Sequence, residues 1–313
     1  MSQQYSLLIP VYNASPFIAK FIEHLSLLKK PFDEVIFYDD ASTDNTVEIL
    51  TGLGMKVIGG RVNLGPAHAR NSLIQEAKFD WIHFHDVDDF MSPDYLAKAS
   101  FYADLNIYDV IICDVDWYDS QTRKLVLSWH YKQAEINRDP LIYTIGHPVG
   151  GINGLYRRST LKQIGGFNSK IRIWEDADLH VRLAGNADAR FYVVEESLCY
   201  AYRYPNSAST DQKKAWSIRL DLLREYYNAY SDPSTRLEIG AQAQVAAGSL
   251  LLSGEIELAR RALYLSELCK LKVPIKNNLP WRLFKTVLPS QLRVELRLIH
   301  LKIAFRKQLR LAN

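Results

Sequence analysis

The chain has 313 residues, 48% hydrophobic and 23% charged. This is ordinary globular composition, with enough apolar material for a sizeable core, and it excludes a mainly disordered, collagen-like or disulfide-stapled protein. The formal net charge of +3 is unevenly spread: from residue 270 onward eleven Lys/Arg accompany a single acid, Glu295, so the remainder is net acidic.

Taken in chain order, the first half alternates short apolar runs with helical spacing. YSLLIP (5–10) is an apolar strand segment, and Phe17, Phe21, Leu25 and Leu28 place a helix over 16–29. EVIFYDD (34–40) reads as a strand ending in carboxylates. Ser42 or Thr43 is positioned to cap a helix running to Leu50. MKVIGG (55–60), AHARNSLIQEA (67–77) and WIHFHD (81–86) repeat strand, helix, strand. The alternation predicts βαβ units and a mostly parallel sheet, an α/β fold. A strand is expected over 109–119, a helix over 159–167 and one or two strands over 190–204.

Beyond a change placed at 205–215, the segments 215–230, 239–254 and 255–271 favour helices. The expected division is 1–210 for the α/β domain and 211–313 for a helical, basic extension. The uncharged run 239–254 is short for a bilayer crossing and reads as a packed helix. No basic leader with a long apolar core opens the sequence, and Cys113, Cys199 and Cys269 form no spaced pair. Both features suit a cytoplasmic, reducing setting.

Ligands of such sheets meet the carboxyl ends of the strands, where Asp39, Asp40 and Asp86 fall. HDVDDF (85–90) carries Asp86, Asp88 and Asp89. Hard oxygen donors suit magnesium or manganese, above all when phosphate completes the coordination; a solvated turn is the ordinary alternative. WEDADL (174–179) groups Glu175, Asp176 and Asp178. These acids suit the positive end of a helix, or one of them serves as a general base toward an acceptor hydroxyl.

IPVYN (9–13), FYDDASTDNT (37–46), NLGPAHARN (63–71), HDVDD (85–89), RRSTLKQIGGF (157–167) and WEDADL follow one another in order. In this order and spacing the chain resembles glycosyltransferase family 2, with its GT-A nucleotide-sugar-binding fold, over residues 5–205. The resemblance implies an inverting transfer of one sugar, with a nucleotide-sugar donor, a UDP-sugar, and Mn2+ or Mg2+ as cofactor. It assigns Pro10 and Tyr12 to the first nucleotide loop, Asp39 and Asp40 to uridine, and Asn63 and Arg70 to a second donor loop. Asp88 becomes the direct metal ligand, with Asp86 at ribose or metal-bound water and Asp89 supporting the loop. Asp176 becomes the catalytic base and Glu175 its orienting neighbour.

Trp174, His147 and Asn153 are acceptor-side candidates, as is Trp129, a flat platform for a sugar face. Arg203 and Asn206 are expected either to contact the diphosphate or a mobile loop or to be polar residues of the rim, and His85 is expected to be structural. The expected acceptor is a glycan, a glycolipid or a protein glycan. The different-class alternative is a noncatalytic nucleotide-sugar-binding or interaction module. There is no GxGxxG to support a redox enzyme. No QxxRW-type processivity signal is present, which favours single-residue addition.

Residues 281–310 mix Trp281, Leu283, Phe284, Leu292, Leu296, Ile299, Ile303 and Phe305 with eight Lys/Arg. Packing on the protein, homo-oligomer formation and contact with an anionic membrane surface at the inner face of the cytoplasmic membrane are the expected uses. Nucleic acid is a weaker fit, because basicity alone attracts it without specificity.

Overall fold

The computed structural model describes residues 3–185, 189–205, 211–271 and 288–305. Contacts divide the chain into two compact units, Met1–Ser207 and Ala208–Asn313.

The first unit is built on one sheet. Its strands are β1 (Tyr5–Val11), β2 (Glu34–Asp39), β3 (Lys56–Gly59), β4 (Trp81–Phe84), β5 (Phe90–Met91), β6 (Val110–Asp119), β7 (Leu125–Trp129), β8 (Gly154–Arg157) and β9 (Phe191–Arg203). The order is β3-β2-β1-β4-β8-β6-β9-β5, with β7 paired to β6. β3, β2, β1 and β4 run parallel, as do β6 and β9. β8, β5 and β7 join antiparallel. This is the expected α/β sheet, mostly parallel and flanked by helices.

Burial on both faces explains the unbroken apolar runs of β1 and β4. Alternate residues serve opposite cores. Leu7, Ile9, Phe37, Trp81 and Ile111 enter one cluster, while Leu8, Ile36, Ile82, Phe84 and Ile112 enter the other. Around the sheet lie α1 (Ser15–Ser26), α2 (Thr46–Gly52), α3 (Pro66–Glu76), α4 (Tyr95–Asp104), α5 (Gln133–Ile136), α6 (Pro140–Gly146), α7 (Arg158–Gln163) and α8 (Glu175–Gly185).

Several boundaries differ from the sequence reading. α2 begins at Thr46 behind Asn45, so neither Ser42 nor Thr43 caps it. α7 stops at Gln163 rather than 167, because Gly165 and Gly166 turn the chain at φ +78° and +69°. The stretch over 190–204 is a single strand whose register against β6 shifts around Asp114.

The second unit consists of α9 (Gln212–Ala229), α10 (Pro233–Leu252), α11 (Ile256–Leu268) and α12 (Ser290–Ala304). Asp211 and Asp232 cap α9 and α10 through the amides of Lys214 and Thr235. Within this unit α12 buries Val294, Leu298 and Leu301, and Arg260 on α11 reaches Glu295 at 2.6 Å. The buried face is therefore not the row of Leu292, Ile299 and Ile303, which stays exposed. LRVELRL, whose alternation also fits a strand, is helical here. Trp281, Leu283 and Phe284 lie outside the described residues. Among the described residues, no helix is long and apolar enough to cross a membrane.

Candidate active site

The residues expected on the donor side stand at or after the carboxyl ends of β1, β2 and β3. Pro10, the last residue of the expected span, sits inside β1 opposite Tyr38, and the strand runs one residue further to Val11, which pairs with Asp39. Tyr12 follows the strand and is 50% exposed, free to present its ring. Asn13 and Ala41 both adopt left-handed backbone, at φ 50° and 65°. The two loops they begin are tied together: Asn13 N donates to Ser42 Oγ at 2.8 Å, and Thr43 N donates to Asn13 Oδ1 at 2.8 Å.

The paired acids are committed to backbone. Asp39 accepts from Ser42 N at 3.1 Å. Asp40 accepts from Leu64 N at 2.9 Å and Gly65 N at 2.7 Å. Asp40 thereby fixes the entry to α3, where Gly65 (φ +91°) and Pro66 start the helix. Asn63 is half-buried immediately before this anchor. Any base contact by Asp39 or Asp40 would use lone pairs left over from these bonds.

One turn into α3, Arg70 is 4% exposed. Its Nη2 donates to Asp86 Oδ1 and its Nη1 to Glu175 Oε1, each at 2.9 Å. Burial disfavours its charge, but Asp86, Glu175 and Asp176 outweigh that and raise its pKa. Its Nε is buried with no hydrogen-bond partner.

Asp86 follows β4 and begins the tight loop to β5, with Asp89 N donating to Asp86 O at 3.1 Å. Asp89 Oδ1 accepts from Tyr202 N at 2.9 Å, pinning that loop to β9. Burial first, and Asp86 second, push the half-buried Asp88 carboxyl up to about 6. Burial, then the charges of Asp88 and Asp86, lift Asp89 further. His85 is fully buried, and burial holds its pKa down to about 4. It contacts His83 and stacks on Phe21, as a structural residue does.

The second acidic motif opens α8. Trp174 takes φ +71°, an uncommon conformation for a bulky residue, and its carbonyl accepts from Asp178 N at 2.8 Å. That turn sets Glu175 and Asp176 side by side on the first helical turn. Glu175 is buried against Arg70, and burial together with the Asp176 charge raises it to about 7. Asp176 is half-buried, and burial raises its pKa as well. Its Oδ1 accepts from Ala177 N at 2.7 Å. Its Oδ2 faces Gly150, 4.0 Å from where a Cβ there would stand. Asp178 is bound to Arg182 at 2.8 Å as a network residue.

These groups converge on a cavity of about 100 Å³. Arg70, Asp86, Asp89, Glu175 and Asp176 form its polar side. Gly150, Gly151 and Ile152 line another part, and Val115, Trp117 and Trp129 form an apolar wall. Asp88 flanks this space without lining it, and Trp174 also lies outside its wall. Asn153 is buried beneath the glycines: its Nδ2 donates to Cys113 O at 2.7 Å, and its Oδ1 is 3.5 Å from a Cβ built on Gly150. His147 is exposed at the end of α6 and stacks on Tyr143, away from the cavity. Arg203 lies over Trp117 at 5.6 Å, and Asn206 is outside the described residues.

Sequence reasoning missed Trp117 and the wall position of Asp89. The signal for Trp117 was the β6–β7 hairpin, which pairs Trp117 with Leu127 and Val115 with Trp129, and so puts both indoles on one face.

No group of three or more His, Cys, Asp or Glu among the described residues converges to hold a metal ion by itself. Asp86 and Asp88 nevertheless suit a cation that keeps waters and takes its other oxygens from a diphosphate.

Residues 6–165, just over half of the chain, match the family model described as glycosyl transferase family 2. An uncharacterized glycosyltransferase of Haemophilus influenzae is 25% identical over 247 residues, 75% of this chain and 81% of that protein. The poly(ribitol-phosphate) beta-N-acetylglucosaminyltransferase TarS of Staphylococcus aureus is 30% identical over 118 residues, which span 35% of this chain and 20% of TarS. Among solved structures, S. aureus TarS 1–349 in complex with UDP-GlcNAc superposes with a TM-score of 0.63 at 19% identity, covering 97% of this chain and 92% of that one. The mannosyltransferase PcManGT of Pyrobaculum calidifontis, in complex with GDP-Man and Mn2+, gives 0.60 at 16% identity over 96% and 88%. The structural likenesses establish a shared GT-A-like fold. With its family model, its sheet and its ordered motifs in agreement, the chain belongs to glycosyl transferase family 2.

Proposed function

We propose that the protein transfers one sugar, with inversion, from a nucleotide-sugar to a hydroxyl of a glycan or glycolipid acceptor, with UDP-sugar as the donor. The observation that carries this reading is the meeting of Asp86 and Glu175 on Arg70, with Asp176 beside them on the same cavity.

Asp176 is the general base. Its Oδ2 is turned toward the glycine-lined part of the cavity, where an acceptor hydroxyl has room. The hydroxyl oxygen forms a bond to the anomeric carbon, the bond from that carbon to the diphosphate breaks on the opposite face, and the proton passes to Asp176. Glu175 cannot easily share this task, because Arg70 holds its carboxylate. Arg70 steadies both acidic loops through its two Nη groups. Asp88 and Asp86 would hold Mn2+ or Mg2+, whose role is to neutralise charge growing on the departing diphosphate. Tyr12, exposed beside the tied β1 and β2 loops, stacks on the base.

The test separates binding from transfer. Asp88→Asn is expected to weaken metal-dependent UDP-sugar binding, measured calorimetrically. Asp176→Asn is expected to keep donor binding and to lose transfer by roughly 10²–10⁴-fold. Normal turnover in Asp176→Asn would refute the base assignment. Donor binding without transfer to any acceptor would favour the noncatalytic binding module.

A further inference from the structure

α12 carries two apolar rows. Val294, Leu298 and Leu301 form the row that is buried within the second unit. Leu292, Leu296, Ile299 and Ile303 recur at spacings of four, three and four. At 3.6 residues per turn this confines them to an arc of about 60°, centred roughly 160° away from the buried row. Three of the four are exposed, Leu292 at 46%, Ile299 at 53% and Ile303 at 67%, and Leu296 is half-buried. The outer stripe is roughly 16 Å long. The inner row already holds the helix, together with the Arg260–Glu295 and Arg293–Glu267 pairs.

The charge around the stripe has one sign. Glu295 is the only acid from residue 270 to 313, against eleven Lys/Arg, a net charge of +10 for that segment. Arg260 engages this one acid at 2.6 Å. Lys302, next to Ile303, is exposed and pairs with no acid among the described residues. Arg306, Lys307 and Arg310 follow Ile303 within seven positions of sequence.

We propose that the outer face of α12 docks on an anionic lipid bilayer: Leu292, Leu296, Ile299 and Ile303 enter the boundary between headgroups and acyl chains, and the basic residues meet the lipid charges. Such attachment is independent of the sugar-transfer chemistry. A second copy of the chain fits this face less well. Outer faces paired with each other would bring two +10 segments together. The stripe has the spacing of a coiled-coil seam, but it covers fewer than two heptads, where about three to four are required. Four partly exposed aliphatic side chains also offer on the order of a few hundred Å², against about 800 Å² from each partner of a stable interface.

The experiment mixes the full chain with vesicles of phosphatidylcholine alone, or of phosphatidylcholine with about 30% phosphatidylglycerol, and reads the bound fraction by co-sedimentation. Binding to the anionic vesicles is expected to exceed binding to the neutral ones about tenfold or more, and to fall about as steeply between roughly 0.1 and 0.5 M salt. Ile299→Ser combined with Ile303→Ser is expected to weaken binding to the anionic vesicles about tenfold. Leu292→Ser and Lys302→Gln should each weaken it about threefold. Leu53→Ser, an exposed apolar control outside α12, should leave it unchanged. Because the replaced side chains are exposed, thermal melts should stay close to the parent's and certify folding. Failure to bind anionic vesicles, or equal binding to both kinds, overturns the proposal. Binding that salt abolishes but the isoleucine variant leaves intact overturns it too, since basicity alone would then suffice. So does a dimer, seen by light scattering without lipid, that the isoleucine variant converts to monomer while vesicle binding is unchanged.

Discussion

Arg70 and Glu175 are 105 positions apart, yet Nη1 of the first and Oε1 of the second stand 2.9 Å from each other, while the other arm of the same guanidinium holds Asp86. One buried side chain therefore fixes the distance between the loop after β4 and the start of α8. A lysine cannot reproduce this, since its single ammonium lacks the planar fork that spans two carboxylates.

Arg70→Met is expected to destabilise the protein by about 3–5 kcal/mol, because it strands buried carboxylates without a counter-charge. Arg70→Lys should retain more stability but little transfer. Chemical denaturation alongside turnover checks both. A Lys variant with parental activity would show that the forked geometry is dispensable.

Gly151 borders the cavity, and a Cβ there would lie 3.6 Å from Asp176 Cβ and 3.7 Å from Arg70 Cζ. Those are ordinary contacts, so Gly151→Ala should fold with a near-parental melting temperature. Its methyl group would nevertheless crowd the acceptor's approach to Asp176. Transfer is expected to fall roughly 10- to 100-fold, chiefly through the acceptor and with donor binding little changed. Parallel kinetics in donor and acceptor would reveal the asymmetry.

His180 links the site to pH-dependent stability. Its Nδ1 is 2.7 Å from the Asp176 carbonyl, which can only accept, so Nδ1 carries the proton and Nε2 accepts from the Tyr156 hydroxyl at 2.9 Å. Burial lowers His180 to about 4, and burial with the neighbouring His85 lowers His83 well below its usual value. Both are neutral when folded, whereas the unfolded chain takes up protons below about pH 6.5. Their contribution is complete above that pH. It declines as pH falls toward 4, with a slope approaching about 1.4 kcal/mol per pH unit for each histidine. The raised Glu175 and Asp88 carboxyls act in the opposite direction over the same range, so the contribution is read as the difference in denaturant midpoints between the parent and His180→Gln from pH 8 to 4.5, which should shrink toward pH 4.5. An unchanged slope in that variant would exclude His180 as its source.

Gly166 is expected to resist substitution for two reasons. Its φ is +69°, and a Cβ would stand 2.3 Å from Asn71 Oδ1. That oxygen accepts from Phe167 N at 2.7 Å, while Asn71 Nδ2 donates to Phe167 O at 2.8 Å. Gly166→Ala should cost about 2 kcal/mol or more. In an Asn71→Ala background the cost should shrink, because the clash partner is gone. Strictly additive losses in the double variant would argue against this contact.

Much of the fold was legible because strand and helix periods were clear. YSLLIPV, EVIFYD and WIHF each carry the apolar run that a doubly covered strand requires. The acidic motifs were legible as positions at strand and helix ends. Their partners were not. That Asp40 would be spent on the amides of Leu64 and Gly65, or Glu175 on Arg70, depends on loop geometry that no spacing reveals. Trp117 was hidden differently: its importance comes from a hairpin register, and a one-residue slip would have turned it to the other face. His147 had the right chemistry near the right segment, but the end of α6 directs it onto Tyr143. Trp174, close to Asp176 in sequence, contributes its backbone turn to the site rather than a cavity-lining ring.

The stitching of Asn13 to Ser42 and Thr43 has a thermodynamic consequence. Two loops joined in the folded chain have already given up their independent motion, so an arriving nucleotide need not immobilise them. Their rigidity is set during folding, and a ligand's binding free energy is correspondingly less eroded by ordering entropy.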